Sequence, residues 1–375
     1  MLVSVQILRA VAATMVVWHH ARHEVGLLAE RGAGGALVPG TLLPWWAGVD
    51  LFFMISGLVI VLASRRLVGE AGARRRFLAH RIARVVPLYW LTSLAYLALA
   101  LAAPGLLGEA GALARDPGYV AASFLFWPVA RPDGSIQPLY GLGWTLNDEM
   151  AFYAVFALGL GFGLRGAVAW LVIVFGGLVA AGAVIALPLP IGFWADPIVL
   201  EFALGAGLGL ARMAGLRLPP FARAGLAGLG LAGFLLAALY LGGGGEVPGF
   251  TRPILVGLPA LLLVAGAALG PGGGAMPSLP VRALARLGDA SYALYLVHPF
   301  ALRAGREGLV RFGLAGPLHP WGSLVVMVSL AVVAALVVHL FVEAPLTRRL
   351  RGWLDARENR VGARRTPVFT AGEDG

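Results

Sequence analysis

Arg9 and His20 are the first residues of this chain whose types and spacing could do chemistry. They stand eleven positions apart in QILRAVAATMVVWHHAR, a stretch that otherwise reads as a membrane helix. At about 100° per residue, eleven steps return to nearly the same face, and at about 1.5 Å rise the two lie roughly 16 Å apart. Intramembrane Arg and His are costly, so they usually face a bundle interior or a wet cavity. A base at mid-depth and a cation nearer one surface, on one stripe, point to a reaction site. The plainer alternative is that Arg9 snorkels to the interface while His20 caps the helix near the other side.

Four further polar groups interrupt apolar sequence. In GVDLFFMISG, Asp50 opens a run with Ser56 and Gly57 near its middle. This is either a substrate contact or a helix-packing Ser/Gly pair behind a charge at a helix start. In RRRFLAHRIARVVPLYW, Arg81 and Arg84 share a helix face and can grip phosphates, with Pro87, Tyr89 and Trp90 directly after them. Arg74, Arg75 and Arg76 read instead as a basic loop against anionic lipid. In LGWTLNDEMAFY, Asp148 and Glu149 lie inside a span, where carboxylates need a partner. His20 lies at comparable depth, and a carboxylate there would orient the imidazole and stabilise the imidazolium. Otherwise Thr145, Asn147 and the two acids form an N-terminal capping cluster. In LGDASYALYLVHPF, His298 precedes a helix-kinking proline and is either packed against a carbonyl or part of a site. His19 and His23 form an i, i+4 pair without an evident third ligand, so no metal is expected.

The elements that must position these groups are membrane helices. Mean hydropathy is +0.83, and 59% of the residues are hydrophobic. That excludes an ordinary soluble domain and implies an all-α, polytopic helical bundle in the lipid bilayer. The chain has no cysteine, which removes disulfides, thiol nucleophiles and Cys-ligated metals. Its 29 basic residues are all arginine, which removes Schiff-base chemistry. No cleavable signal peptide is expected, because the start lacks a basic region and the first apolar run ends in HHAR.

Ten spans are expected, at about 3–21, 44–64, 83–103, 142–164, 167–187, 192–212, 224–241, 253–270, 289–305 and 321–343. Residues 118–129 are apolar but too short to cross. With the N-terminus inside, 21 arginines fall on the cytoplasmic side and 8 outside. The positive-inside rule therefore favours both termini in the cytoplasm, and topology explains the net charge of +10 without a nucleic-acid partner. Residues 1–350 read as one transmembrane domain, and 351–375 as a charged, disordered cytoplasmic tail.

The order LRAVAATMVVWHH, GVDLFFMISG, FLAHRIARVVPLYW, WTLNDEMAFY, ASYALYLVHPF and VEAPLTRRL resembles the membrane-bound acyltransferase family 3, from residue 7 to about 350. The family's Arg-x10-His pattern falls on Arg9 and His20, where the resemblance implies a catalytic histidine. Its Arg-x-x-Arg pattern falls on Arg81 and Arg84. Its Trp-Ser-Leu-Ser-x-Glu pattern falls on Trp144 to Glu149, with Thr145 and Asn147 in place of the serines. The Leu-Asn-x-Glu-Met variant is similar to the branch that acetylates bacterial exopolysaccharides.

The resemblance implies a bacterial inner-membrane enzyme with an acyl-CoA donor, most simply acetyl-CoA, and a carbohydrate hydroxyl as acceptor. His20 would act as general base, oriented by Glu149 or Asp148, or would carry the acyl group itself. Arg9, Arg81, Arg84 and Tyr89 are expected on the donor. Asp50, Ser56, Trp144, Asn147 and His298 are expected on the acceptor. Two alternatives stay open: a lipid or antibiotic acceptor, and a ten-span secondary transporter.

Overall fold

In a lipid-like setting every backbone polar group must be satisfied within its own segment, so apolar runs of this length fold as helices. A computed structural model of the chain shows this architecture. It describes all residues except 1, 36, 38–42, 104, 106–108, 242–246, 248, 272–277 and 364–375. Among the described residues there is no strand, only an isolated bridge between Ala130 and Ile136.

The first half contains α1 (Val3–Glu30), α2 (Gly48–Ser64), α3 (Ala73–Ala102), the short α4 (Glu109–Leu113) and α5 (Pro117–Phe124), then α6 (Trp144–Gly159) and α7 (Gly163–Val184). The second half contains the short α8 (Ile191–Trp194), α9 (Leu200–Met213), α10 (Pro220–Leu241), α11 (Leu258–Ala268), α12 (Leu279–Asp289), α13 (Ser291–Arg311), α14 (His319–Val338) and α15 (Ala344–Ala363). Five helical segments are long and apolar enough to cross a membrane: Trp45–Ser64, Ala73–Ala102, Gly141–Val184, Pro220–Leu241 and His319–Arg357. Gly141–Val184 carries two of the ten expected spans, which turn at Gly163, where φ is +74°. The expected span at 192–212 is broken, leaving α9 with 14 residues. The segment at 118–129 folds only as the eight-residue α5. The last helix continues beyond residue 351 to Ala363, and residues 364–375 lie outside the described part.

The helix α1 is the axis of the bundle and packs against α2, α12, α13 and α14. Its buried face is rich in small residues, including Ala10, Ala12, Ala13 and Ala21. Small faces let helix backbones approach closely where no hydrophobic drive favours one apolar partner over another. The α2–α9 pair shows this most clearly. A Cβ on Gly57 would stand 2.1 Å from the Phe202 carbonyl oxygen, and one on Gly205 would stand 2.0 Å from that of Met54. A Cβ on Gly209 would likewise stand 3.1 Å from the Leu58 carbonyl oxygen. Phe53 stacks on Phe202 at 4.2 Å and Phe152 on Phe202 at 4.5 Å, which joins α2, α9 and α6 in one aromatic core.

Two π-helical segments interrupt the bundle, Pro253–Gly257 and His339–Glu343. Each lies beside an ion pair with a buried carboxylate. Arg252 precedes the first and reaches Asp50, and Glu343 closes the second and reaches Arg84. Such bulges rotate side chains out of the regular helical register and recur at functional sites.

Candidate active site

Arg9 and His20 lie on one helix and open into different cavities. At the end of the bundle that carries Arg9, a cavity of about 580 Å³ is lined by Arg9, Arg81, Arg84 and Arg351 together with Glu149 and Asp289. We call this the basic-end cavity. At the other end, a cavity of about 850 Å³ is lined by His19, His20 and His23, by Trp46 and Trp144, and by Asp148, Asp196 and Arg252. We call this the histidine-end cavity.

The basic end is built from neighbouring helix faces. Arg9 donates to Gln6 Oε1 at 3.2 Å, and Gln6 in turn donates to Asp289. Arg84 is paired with Glu343, a carboxylate only 1% exposed, whose other oxygen holds His339 Nδ1 at 2.8 Å. Arg81 lies over the rings of Phe77 and Tyr153, at 5.7 and 6.0 Å. Glu149 accepts from Ser56 Oγ at 3.0 Å and from the Tyr153 hydroxyl. Four arginines against two lining carboxylates leave this cavity electropositive. It is therefore suited to a polyanion, because a guanidinium fork can donate two hydrogen bonds at once to a phosphate.

At the histidine end, the His20 ring lies 5.1 Å from that of His298 and 5.2 Å from that of His19. His298 is fully buried, and its Nδ1 is 3.0 Å from the Leu294 carbonyl oxygen. A carbonyl only accepts, so Nδ1 carries a proton. His298 Nε2 has no hydrogen-bond partner among the described residues. Below this pair, Arg252 forms a two-point contact with Asp50, both bonds at 3.0 Å. Its guanidinium lies over Trp46 at 4.9 Å and Trp144 at 6.0 Å, so the pair braces the aromatic wall.

The structure separates several residues that the sequence places together. No hydrogen bond or ion pair joins His20 to Glu149 or Asp148 among the described residues. The reason is helical geometry. Consecutive residues point about 100° apart, so Glu149 faces the basic end while Asp148 faces the histidine end. Ser56, expected on the acceptor, is at the basic end with Glu149. Asp50 is wholly buried in its pair with Arg252, behind the cavity wall. Asn147 is buried and lines neither cavity. Tyr89, expected on the donor, also lines neither: its hydroxyl donates to the Ser123 carbonyl at 2.9 Å and its ring packs on Phe126, tying α3 to α5. His298 stands behind His20 rather than in the cavity lining.

The sequence patterns single out neither Arg252 nor Tyr295 nor Arg351. The signal for Arg252 was present, as a lone arginine at the start of an apolar run with a lone aspartate opening another. Only the fold shows that the two meet.

The profile of acyltransferase family 3, described as an acyltransferase domain, matches residues 2–340. The chain belongs to acyltransferase family 3. Within this family it is similar to the exopolysaccharide production protein ExoZ of Rhizobium meliloti (strain 1021), with 34% identity over 311 residues, covering 81% of this chain and 90% of that one. It is also similar to the acyltransferase MdmB of Streptomyces mycarofaciens, with 29% identity over 374 residues, covering 92% of this chain and 88% of that one. The similarity thus runs to the ExoZ-like branch. No solved structure matches the chain. Family membership and the apolar helices together make this acyltransferase a membrane protein.

Proposed function

We propose that this acyltransferase moves an acyl group, most simply acetyl, from cytosolic acyl-CoA to a hydroxyl of an extracytoplasmic or lipid-linked carbohydrate. The observation that carries the reading is the meeting of two unlike cavities across one wall, one rich in arginine and one lined by histidine and tryptophan. In this reading the basic end faces the cytoplasm of a bacterial inner membrane, as do both termini, in keeping with the arginine distribution. The printed name of the ExoZ relative, a protein of exopolysaccharide production, supports a polysaccharide acceptor.

The basic-end arginines hold the phosphates of the donor. Arg81 is suited to this because it lines the cavity beside the rings of Phe77 and Tyr153 and a guanidinium binds phosphate at two points. At the histidine end, the aromatic wall of Trp46 and Trp144 suits a sugar ring and Asp148 suits its hydroxyls. His20 takes the proton from the attacking hydroxyl. The oxygen then bonds to the thioester carbonyl carbon, the carbon–sulfur bond breaks, and the leaving thiolate takes the proton back from His20. A base so placed contributes about 10²–10⁴-fold in rate.

The test is thiol release from acetyl-CoA by the purified protein with a panel of oligosaccharides, wild type beside His20→Ala. Release that depends on an acceptor and falls by about 10²–10⁴-fold in the variant supports the reading. Near-normal transfer by a well-expressed His20→Ala would remove His20 from the reaction. Neither release nor CoA binding would favour a transporter.

A further inference from the structure

The two cavities share lining residues, Val49 and Tyr295. Tyr295 is only 6% exposed, although it borders both spaces. Its hydroxyl donates to the Leu142 carbonyl oxygen at 3.1 Å and lies 2.9 Å from Thr145 Oγ1. Leu142 lines the histidine end and Thr145 lines the basic end. The ring is flanked by Phe52 on the basic side and by His298 on the other, each with its centroid 6.2 Å away. A single phenol ring from α13 therefore stands between the cavities, latched at its tip to the start of α6. Both hydrogen bonds are given up together when the side chain changes rotamer.

We propose that Tyr295 is the partition between donor and acceptor compartments, and that it determines whether the acyl group goes to an acceptor hydroxyl or to water. This rests on the donor and acceptor assignment above. A thioester entering from the basic end meets the Tyr295 ring before it meets His20. With the ring in place, only a group seated in the aperture can be attacked from the histidine end. With the ring removed, water reaches the thioester from the histidine end. It adds to the carbonyl carbon, the carbon–sulfur bond breaks, and a carboxylic acid and a free thiol result. Closed sites suppress such hydrolysis of reactive groups by excluding solvent.

The absence of cysteine allows a direct test of the partition that does not depend on catalysis. Val59→Cys places a thiol in the basic-end cavity and Leu27→Cys places one in the histidine-end cavity. A membrane-impermeant maleimide is applied to the outer face of right-side-out vesicles. The expected result is ready labelling of Leu27→Cys and labelling of Val59→Cys slower by an order of magnitude or more. Adding Tyr295→Ala should bring Val59→Cys close to the Leu27→Cys rate. Tyr295→Phe, which keeps the ring, should leave Val59→Cys protected and serves as the folded control. Labelling of Val59→Cys from inside-out vesicles should be equal in all backgrounds.

Equal outer labelling of Val59→Cys with and without Tyr295→Ala would overturn the partition. In parallel, acceptor-independent thiol release relative to acceptor-dependent transfer should rise by an order of magnitude in Tyr295→Ala. An unchanged ratio in a variant with an opened partition would overturn the role in excluding water. If no variant released thiol at all, the donor assignment would fail, and the labelling would still decide the partition.

Discussion

At the basic end, Glu149 is held by Ser56 and Tyr153, Arg84 by Glu343, and Arg9 by Gln6. At the histidine end, Asp148 Oδ1 and His298 Nε2 have no partner among the described residues, and His20 touches other imidazoles rather than a carboxylate. The first arrangement suits a ligand whose charged part is always the same, because fixed donors need no reordering when it binds. The second leaves buried polar atoms without a protein partner beside a large cavity with aromatic walls, which suits hydroxyl-rich ligands. On the proposed reading, one bundle combines a preset anion site with a more permissive polar site, and the two cavities meet at Tyr295.

The largest effect expected from disturbing this contrast lies in the brace behind the histidine end. Asp50→Asn removes the carboxylate that holds the buried Arg252 guanidinium at two points. Breaking one partner of a buried pair costs about 3–5 kcal/mol, so thermal unfolding in detergent should shift strongly downward. Replacing both residues, as Asp50→Leu with Arg252→Met, should recover most of that loss, since an apolar pair avoids the desolvation of both charges. An Asp50→Asn variant as stable as wild type would show that the pair does not hold the aromatic wall.

The adjacent acids give a sharper and smaller effect. Asp148→Asn should raise the KM for the acceptor about tenfold or more, because hydrogen bonds to charged groups are worth about 1.5–3 kcal/mol. Its KM for the donor should not change. Glu149→Gln should lower kcat/KM for the donor and leave the acceptor KM alone. If the two variants shared one kinetic defect, the acids would be acting as a single unit and the division between cavities would be wrong.

The smallest effect is expected at Tyr89. Tyr89→Phe removes one hydrogen bond to the Ser123 carbonyl and should cost about 0.5–1.5 kcal/mol of stability. CoA affinity should be unchanged. A loss of affinity would return Tyr89 to the donor site.

Helical class, the inward-facing Arg9 and His20, and the cationic face of Arg81 and Arg84 were all legible in the sequence. Apolar length and eleven-residue spacing report directly on helix faces. What was not legible depends on rotation and on long-range meeting. The pair Asp148–Glu149 reads as one cluster along the chain, yet a single helical step turns its members towards different cavities. Asp50 and Arg252 are 202 positions apart, and no local pattern links them. Tyr89 closely follows Arg81 and Arg84 in the sequence, but its own helical angle turns it to Ser123 and Phe126. The count of spans was also blurred, because α9 and the Pro253–Ala268 helix are short and depend on neighbours for burial.

Separating donor binding from chemistry tests the division of labour most directly. CoA should be titrated into wild type, Arg81→Met and His20→Ala under the same conditions. Arg81 is chosen over Arg84 because it holds no buried carboxylate, so its loss leaves no charge stranded. Arg81→Met is expected to bind CoA about tenfold or more weakly, whereas His20→Ala should bind it as wild type does and transfer almost nothing. Weakened CoA binding in His20→Ala, with normal binding in Arg81→Met, would contradict the assignment of the two ends.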